Sequence, residues 1–278
     1  MTSELRRSLD RMRYEVLPVG NARVEALDPG STVTVTASPA RGIGPTIDCT
    51  ERLAAMGLRA VPHLAARSIR DHAHLTGVLD RLDAAGVSEV FVIAGDAAKP
   101  LGEFTDSLAL LRAMERMGRL PARIGIAGYP ERHAFIPDDS AVRAMSDKSH
   151  YADYVVSQIT FDPGTIIDWA FDLRKRGVEA PVYVGVPGVV DAHRLLRIAL
   201  KIGLGESTRF LRKQYGAVSK MLARYTPEEL LDELSPQLGD PDSPIAGWHL
   251  FTFNEVTKTV QWRDDLAARL SGYADRPA

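Results

Sequence analysis

The sequence predicts an α/β fold: a single (β/α)8 TIM barrel over residues 1–278, with extra helices before its last strand. Three observations predict it. Short β-rich runs alternate with helix-period patterns about eight times. Runs such as Val90-Phe91-Val92-Ile93 and Val182-Tyr183-Val184 are unbroken and apolar, as parallel strands covered on both faces are. A length of 278 residues is ordinary for one such barrel.

The strands are read, in order, at residues 14–19, 32–37, 59–62, 89–93, 123–127, 154–157, 181–186 and 248–253. Helices fill the gaps. Leu75, Val78, Leu79 and Leu82 recur at i, i+3, i+4 and i+7, one buried stripe. Leu108, Leu111 and Met117 keep a similar face up to Gly118, a helix stop. Ile167, Ala170, Phe171 and Arg174 form a third helix ended by Gly177, and Phe210, Gln214, Val218, Met221 and Tyr225 a longer one. In Thr226-Pro227-Glu228-Glu229, Thr226 can cap, Pro227 suits the first helical position and Glu229 completes a capping box. The stretch from about 204 to 242 is therefore the extra helical part. A doubly wound sheet is the competing architecture, but Gly42-Ile43-Gly44-Pro45 and Gly203-Leu204-Gly205 lack the third glycine of its phosphate fingerprint.

Composition narrows the function. The chain is 45% hydrophobic and 25% charged, the balance of a soluble globular protein. A net charge of −2 argues against a nucleic-acid binder, and Arg209, Arg212, Lys213 and Lys220 read as the solvated face of a helix. The single cysteine, Cys49, allows no intrachain disulfide and no thiolate metal cluster. His72-Ala73-His74 reads as part of a helix start rather than a metal site. The charged N-terminus has no signal-peptide core, and no segment is long enough to span a bilayer, so a reducing cytoplasm is the expected setting. Nothing in the sequence sets the oligomeric state.

In a barrel, function gathers at the carboxyl ends of the strands. Glu15, Thr36, His63, Gly95-Asp96, Tyr129, Gln158 and Asn254 fall at or near those ends. Singly, each has a structural explanation: a surface carboxylate, a strand threonine, a core histidine, a helix cap, a turn, a backbone bridge. Together they describe a polar pocket. Glu15 stands out, because Tyr14 and Val16-Leu17-Pro18 give it apolar neighbours, where a charge is costly unless used or paired.

Five motifs, in order along the chain, resemble those of the methylenetetrahydrofolate reductase family. They are Tyr14-Glu15-Val16-Leu17-Pro18, Ala94-Gly95-Asp96, Ile124-Gly125-Ile126-Ala127-Gly128-Tyr129-Pro130-Glu131-Arg132-His133, Ser157-Gln158-Ile159-Thr160-Phe161-Asp162 and Phe251-Thr252-Phe253-Asn254. The resemblance implies reduction of 5,10-methylenetetrahydrofolate to 5-methyltetrahydrofolate by NADH or NADPH. It implies that Glu15 is the acid that protonates N10 and that Asp96 stabilises the developing N5 iminium cation. Gln158 would hold the pterin edge, and Glu15 and Asp96 would also touch the folate. Thr36, His63, Gly95, Asp96, Tyr129 and His133 match positions that hold FAD in the family, with Gln158 beside the cofactor. The arginine expected before Gly95 is Ala94, the aromatic after Thr36 is Ala37, the lysine aligns with Asp147 beside Lys148, and the arginine after Asn254 is Glu255. The expectation is a reductase that binds no flavin tightly and takes hydride directly from NAD(P)H. The rivals are an FAD-dependent ping-pong reductase and a folate-binding barrel without activity; fold alone also admits another pterin or a sugar as substrate.

Overall fold

The structure, a computed structural model, describes residues 2–19, 22–131, 145–201 and 224–274. Eight parallel strands form it: β1 (Arg13–Val16), β2 (Thr32–Val35), β3 (Arg59–Ala65), β4 (Glu89–Ile93), β5 (Arg123–Gly128), β6 (Tyr154–Ser157), β7 (Val182–Pro187) and β8 (Ile245–Phe251). They close into a barrel in the order β1-β8-β7-β6-β5-β4-β3-β2. All eight predicted strands are present. β1 stops at Val16 rather than 19 because Pro18 cannot donate to a ladder. Asn254 serves the backbone there instead: its Oδ1 accepts from Leu17 N–H at 2.8 Å and its Nδ2 donates to Val19 O at 2.7 Å.

Around the barrel lie α1 (Thr2–Leu9), α2 (Gly44–Ala55), α3 (His72–Ala84), α4 (Ser107–Arg116), α5 (Pro163–Lys175), α6 (Ala192–Lys201), α7 (Glu228–Leu238) and α8 (Val256–Ala274). After β1 the chain makes a short 3-10 turn, Val24–Ala26, in place of an α-helix. Two helices, α6 and α7, lie between β7 and β8; α7 falls within the predicted extra helical stretch of about 204–242, whose residues 204–223 lie outside the described residues. α1 packs against α7 and α8, burying Leu5 and Leu9, and Ser8 Oγ accepts from the Trp248 indole N–H at 2.7 Å.

Aspartates start three helices. Asp71, Asp106 and Asp162 accept from the N–H three residues on, at 2.7, 2.9 and 2.7 Å. α7 starts differently from the expectation. Pro227 is its N-cap, no side chain caps it, and Pro227 O accepts from Leu231 N–H at 2.9 Å. The preceding residues, Arg224–Tyr225, are held in a two-stranded antiparallel ribbon with Val190–Asp191, which carries Thr226 away from the first turn. Tyr225 therefore does not end a helix; its ring packs edge-on to Phe161 at 5.4 Å. The rest of that predicted helix, with Arg209, Arg212, Lys213 and Lys220, lies outside the described residues. In α5 the buried stripe is Ile166, Ala170 and Leu173, one residue back from the predicted face. The stripe predicted for α3 is fully buried.

Outward-facing strand residues pack under the helices in the main core. Inward-facing ones form a second cluster of Val61, Phe91, Tyr154 and Val156, with Ile93, Ala127 and Tyr183 against it. At the amino-terminal end of the interior sits a buried ion pair, Arg13 with Glu89. Arg13 Nη2 also donates to Tyr154 Oη at 2.9 Å, and its guanidinium lies 4.3 and 5.1 Å from the Tyr154 and Tyr183 ring centroids. Gly125 leaves room for that arrangement: a Cβ there would overlap the Tyr154 ring. Gly125→Ala should lower stability by about 1–3 kcal/mol, read as a lower urea midpoint at unchanged slope.

Candidate active site

Alternation along β1 puts Arg13 and Glu15 on the same interior face, two residues apart. Glu15 is the upper of the two, and its side chain is only 13% exposed. Its Oε2 lies 3.1 Å from His249 Nε2 on β8 and 3.5 Å from His63 Nε2 on β3. His63 stacks at a tilt on Phe91, 4.7 Å between centroids, and His249 meets Phe251 edge-on at 5.1 Å. The Glu15 carbonyl is fixed by the Thr252 hydroxyl, which donates to it at 2.6 Å.

Burial governs the protonation of all three groups. It raises the Glu15 carboxyl from 4.5 to about 7, against a small opposing pull from His63. It lowers His63 to about 4, with Glu15 opposing and His249 and Arg13 adding to the fall. His249 falls to about 3, through burial and then the positive charge of Arg13. Near neutral pH the cluster is thus two neutral imidazoles around a carboxyl poised to hold or release one proton. This is the arrangement a general acid needs.

The other described site candidates follow the carboxyl ends of β2, β4, β5 and β6. Gly95 follows β4 with φ +87, and a Cβ there would press on Ala65 at 3.0 Å, so glycine suits the position twice over. Asp96 is exposed, and it lies near enough to Tyr129 to reinforce burial in raising that phenol's pKa. Thr36 is half-buried; its carbonyl accepts from Thr46 Oγ1 at 2.9 Å, while its own hydroxyl has no partner among the described residues. Gln158 Oε1 accepts from Ile159 N–H at 2.9 Å. His133 lies outside the described residues. Asn254, expected with the pocket residues, is instead the clasp on the β1 loop.

At the positions where the family's cations and ring are expected, Ala94 gives its carbonyl to Arg67 N–H at 3.0 Å. The Arg67 guanidinium donates to the carbonyls of Thr105 and Ala97, at 2.8 and 3.1 Å. Asp147 is exposed, whereas Lys148 is half-buried, its pKa lowered by burial against the pull of Asp106. Glu255 pairs with Arg194 and Lys258, both at 2.9 Å.

Sequence reasoning missed His249 and Arg13. Both were within reach, since stepping by two from Glu15 gives Arg13 and stepping by two from Phe251 gives His249. Among the described residues no three His, Cys, Asp or Glu side chains could hold a metal ion, and no helix is long and apolar enough to cross a membrane. His74 Nδ1 accepts from Arg70 N–H at 3.1 Å, a helix-start contact as expected. A groove of about 640 Å³ lined by Arg6, Asp10, Arg59 and Arg263 contains none of the predicted site residues.

Curated relatives share part of the sequence. Methylenetetrahydrofolate reductase 2 of Saccharomyces cerevisiae is 28% identical over 80 residues, 27% of this chain and 13% of its own. Methylenetetrahydrofolate reductase 1 of Schizosaccharomyces pombe is 27% identical over 122 residues, 40% of this chain and 20% of its own. A Caenorhabditis elegans protein named "Probable methylenetetrahydrofolate reductase (NADPH)" is 23% identical over 175 residues, 59% of this chain and 23% of its own. The chain thus spans less than a quarter of the length of these relatives in each match. The methylenetetrahydrofolate reductase family model matches residues 16–205, which takes in Thr36, His63, Gly95, Asp96, Tyr129, His133 and Gln158 and begins one residue after Glu15. That match covers well over half of the sequence, and the chain belongs to the methylenetetrahydrofolate reductase family.

Proposed function

We propose that this protein reduces 5,10-methylenetetrahydrofolate to 5-methyltetrahydrofolate, taking hydride directly from NADH or NADPH without a tightly bound flavin. The observation that carries the reading is the Glu15 carboxyl, held inside the barrel between two neutral imidazoles with its pKa at about 7. Glu15 gives its proton to N10. The bond from N10 to the methylene carbon breaks, its electrons stay on N10, and the N5 lone pair forms the iminium. The Asp96 carboxylate stabilises that cation. Gln158, its oxygen engaged by Ile159, offers its amide N–H2 to the pterin edge. The nicotinamide supplies the hydride that completes the methyl group, so one NAD(P)H and one proton are consumed per turnover. The name of the C. elegans relative specifies NADPH for that protein, and NADPH is accordingly the first donor to test here.

Two features support the flavin-free part. Ala37 and Ala94 offer only methyl groups where the family uses a ring and a guanidinium, and Arg67, the guanidinium that reaches the β4 loop, is occupied by backbone carbonyls. The guanidinium missing at Ala94 and the ammonium missing at Asp147 are each a lost charge-assisted bond of about 1.5–3 kcal/mol, so the two together amount to about 10²–10⁴-fold in Kd. The described residues are therefore a poor fit to a tightly held flavin. One observation favours the FAD-dependent alternative: the Thr36 hydroxyl, at a position that matches the family's flavin site, is buried with no partner among the described residues. Purified protein separates the two. The expected result is no flavin absorbance and NAD(P)H oxidation by methylenetetrahydrofolate that is unchanged by added FAD. A yellow protein with stoichiometric FAD and ping-pong kinetics would establish the alternative; folate binding without turnover would mark an inactive barrel.

A further inference from the structure

We propose that His249 is a positioning residue for the acid: its Nε2–H holds one oxygen of Glu15 and so places the transferable proton on the other. The inference rests on the reading of Glu15 as proton donor and adds the group that orients it.

Both imidazoles address the same oxygen. His249 Nε2 is 3.1 Å and His63 Nε2 3.5 Å from Oε2 of Glu15. Only the first distance is that of a good hydrogen bond, and His63 Nε2 makes none among the described residues. The other nitrogen of His249, Nδ1, is buried with no partner among the described residues. A ring carries its hydrogen on one nitrogen, and a buried N–H with no acceptor is a rarer and costlier fault than a bare ring nitrogen with no donor. The hydrogen therefore belongs on Nε2, pointing at Glu15.

A protonated carboxyl has one carbonyl oxygen and one hydroxyl. An N–H donor fixed on Oε2 makes Oε2 the carbonyl oxygen in the acid and the held oxygen in the carboxylate, leaving Oε1 to carry the proton. Among the described residues, the charged and titratable groups packed around Glu15 are His63 on β3, His249 on β8 and, one layer down, Arg13 of β1 paired with Glu89 on β4. The arginine disfavours a second positive charge above it, so His249 donates as a neutral ring across the working pH range and does not compete for the proton.

The experiment uses the full chain without folate or nicotinamide, so its outcome does not depend on turnover. ¹⁵N shifts of the wild-type His249 ring should show hydrogen on Nε2 and a bare Nδ1; the opposite tautomer overturns the proposal. A ¹³C titration of the Glu15 carboxyl is then compared in wild type, His249→Gln and His249→Leu. Loss of a donor to the charged form should raise the midpoint by about one pH unit in the leucine variant. Glutamine, whose amide N–H can reach the same oxygen, should stay within a few tenths of wild type. A midpoint unmoved by leucine makes His249 a bystander, and a lowered midpoint makes it an acceptor; either result overturns the proposal. His249→Phe replaces the leucine variant if that one does not fold. Should the titration behave as expected while NAD(P)H oxidation is absent, the reductase reading fails and the role of His249 in holding Glu15 stands.

Discussion

Glu15→Gln should lower kcat by about 10²–10⁴-fold, the range of one well-placed proton transfer, while the fold is retained. Glutamine keeps the shape and accepts from His249, but it has no acidic proton for N10. The wild-type pH profile supplies the second half of the test. As the proposed acid Glu15 donates only when protonated, and burial raises its pKa to about 7. Activity should therefore be level below pH 7 and fall tenfold per unit above it, and the variant's residual rate should lack that limb. His63 and His249 titrate near 4 and 3, far below the limb. Wild-type activity in the variant would remove Glu15 from the mechanism.

The same substitution should stabilise the protein in alkali. The folded-state pKa of Glu15 is raised, from 4.5 to about 7, so its ionisation opposes folding as pH rises through that window. Below pH 4.5 wild type and variant should be equally stable. Above pH 7 the variant, which never ionises, should be the more stable by up to about 3 kcal/mol. Loss of activity together with a gain in alkaline stability distinguishes a functional burial from a structural one.

Arg13→Met should have the largest effect on stability. The Arg13 side chain is 4% exposed, and its removal leaves the Glu89 carboxylate, 15% exposed, with Arg123 at 3.6 Å as its remaining ion-pair partner among the described residues. Breaking one side of a buried pair typically costs about 3–5 kcal/mol. Urea denaturation of the single variant and of Arg13→Met/Glu89→Gln measures it. The double variant should recover at least half of the loss, because it no longer buries an unpaired charge. A single variant within about 1 kcal/mol of wild type would show that Arg123 and the two tyrosines suffice to hold Glu89.

Much of this was legible in the sequence, for reasons that are local. Strands such as 89–93 announce themselves because a parallel strand is covered on both faces, and the α3 stripe because a helix must bury one. Glu15 was visible as a carboxylate in an apolar run. What the sequence does not display is who meets whom across the barrel. Glu15 and His249 are 234 positions apart, and only the closure of β1 on β8 makes them neighbours. Asn254 looked like a pocket residue because a polar side chain at a strand end is ambiguous until its partners are known. Thr226 looked like a cap because capping depends on the path of the residue before it, and the ribbon decides that path here.

The seam between β1 and β8 has a consequence for how the protein is made. A ribosome delivers Glu15 first and His249, Thr252 and Asn254 more than two hundred residues later. Until that final stretch emerges, the barrel cannot close, and Glu15 lacks the partners that β8 brings to it. Closure of the ring is thus also what brings His249 and Thr252 to Glu15, and a chain stopped before β8 should lack those contacts as well as the closed barrel. Contacts of such long reach slow folding, because the entropy of joining the two ends must be lost before any of them forms. The buried setting of Glu15 therefore depends on the meeting of the first strand and the last.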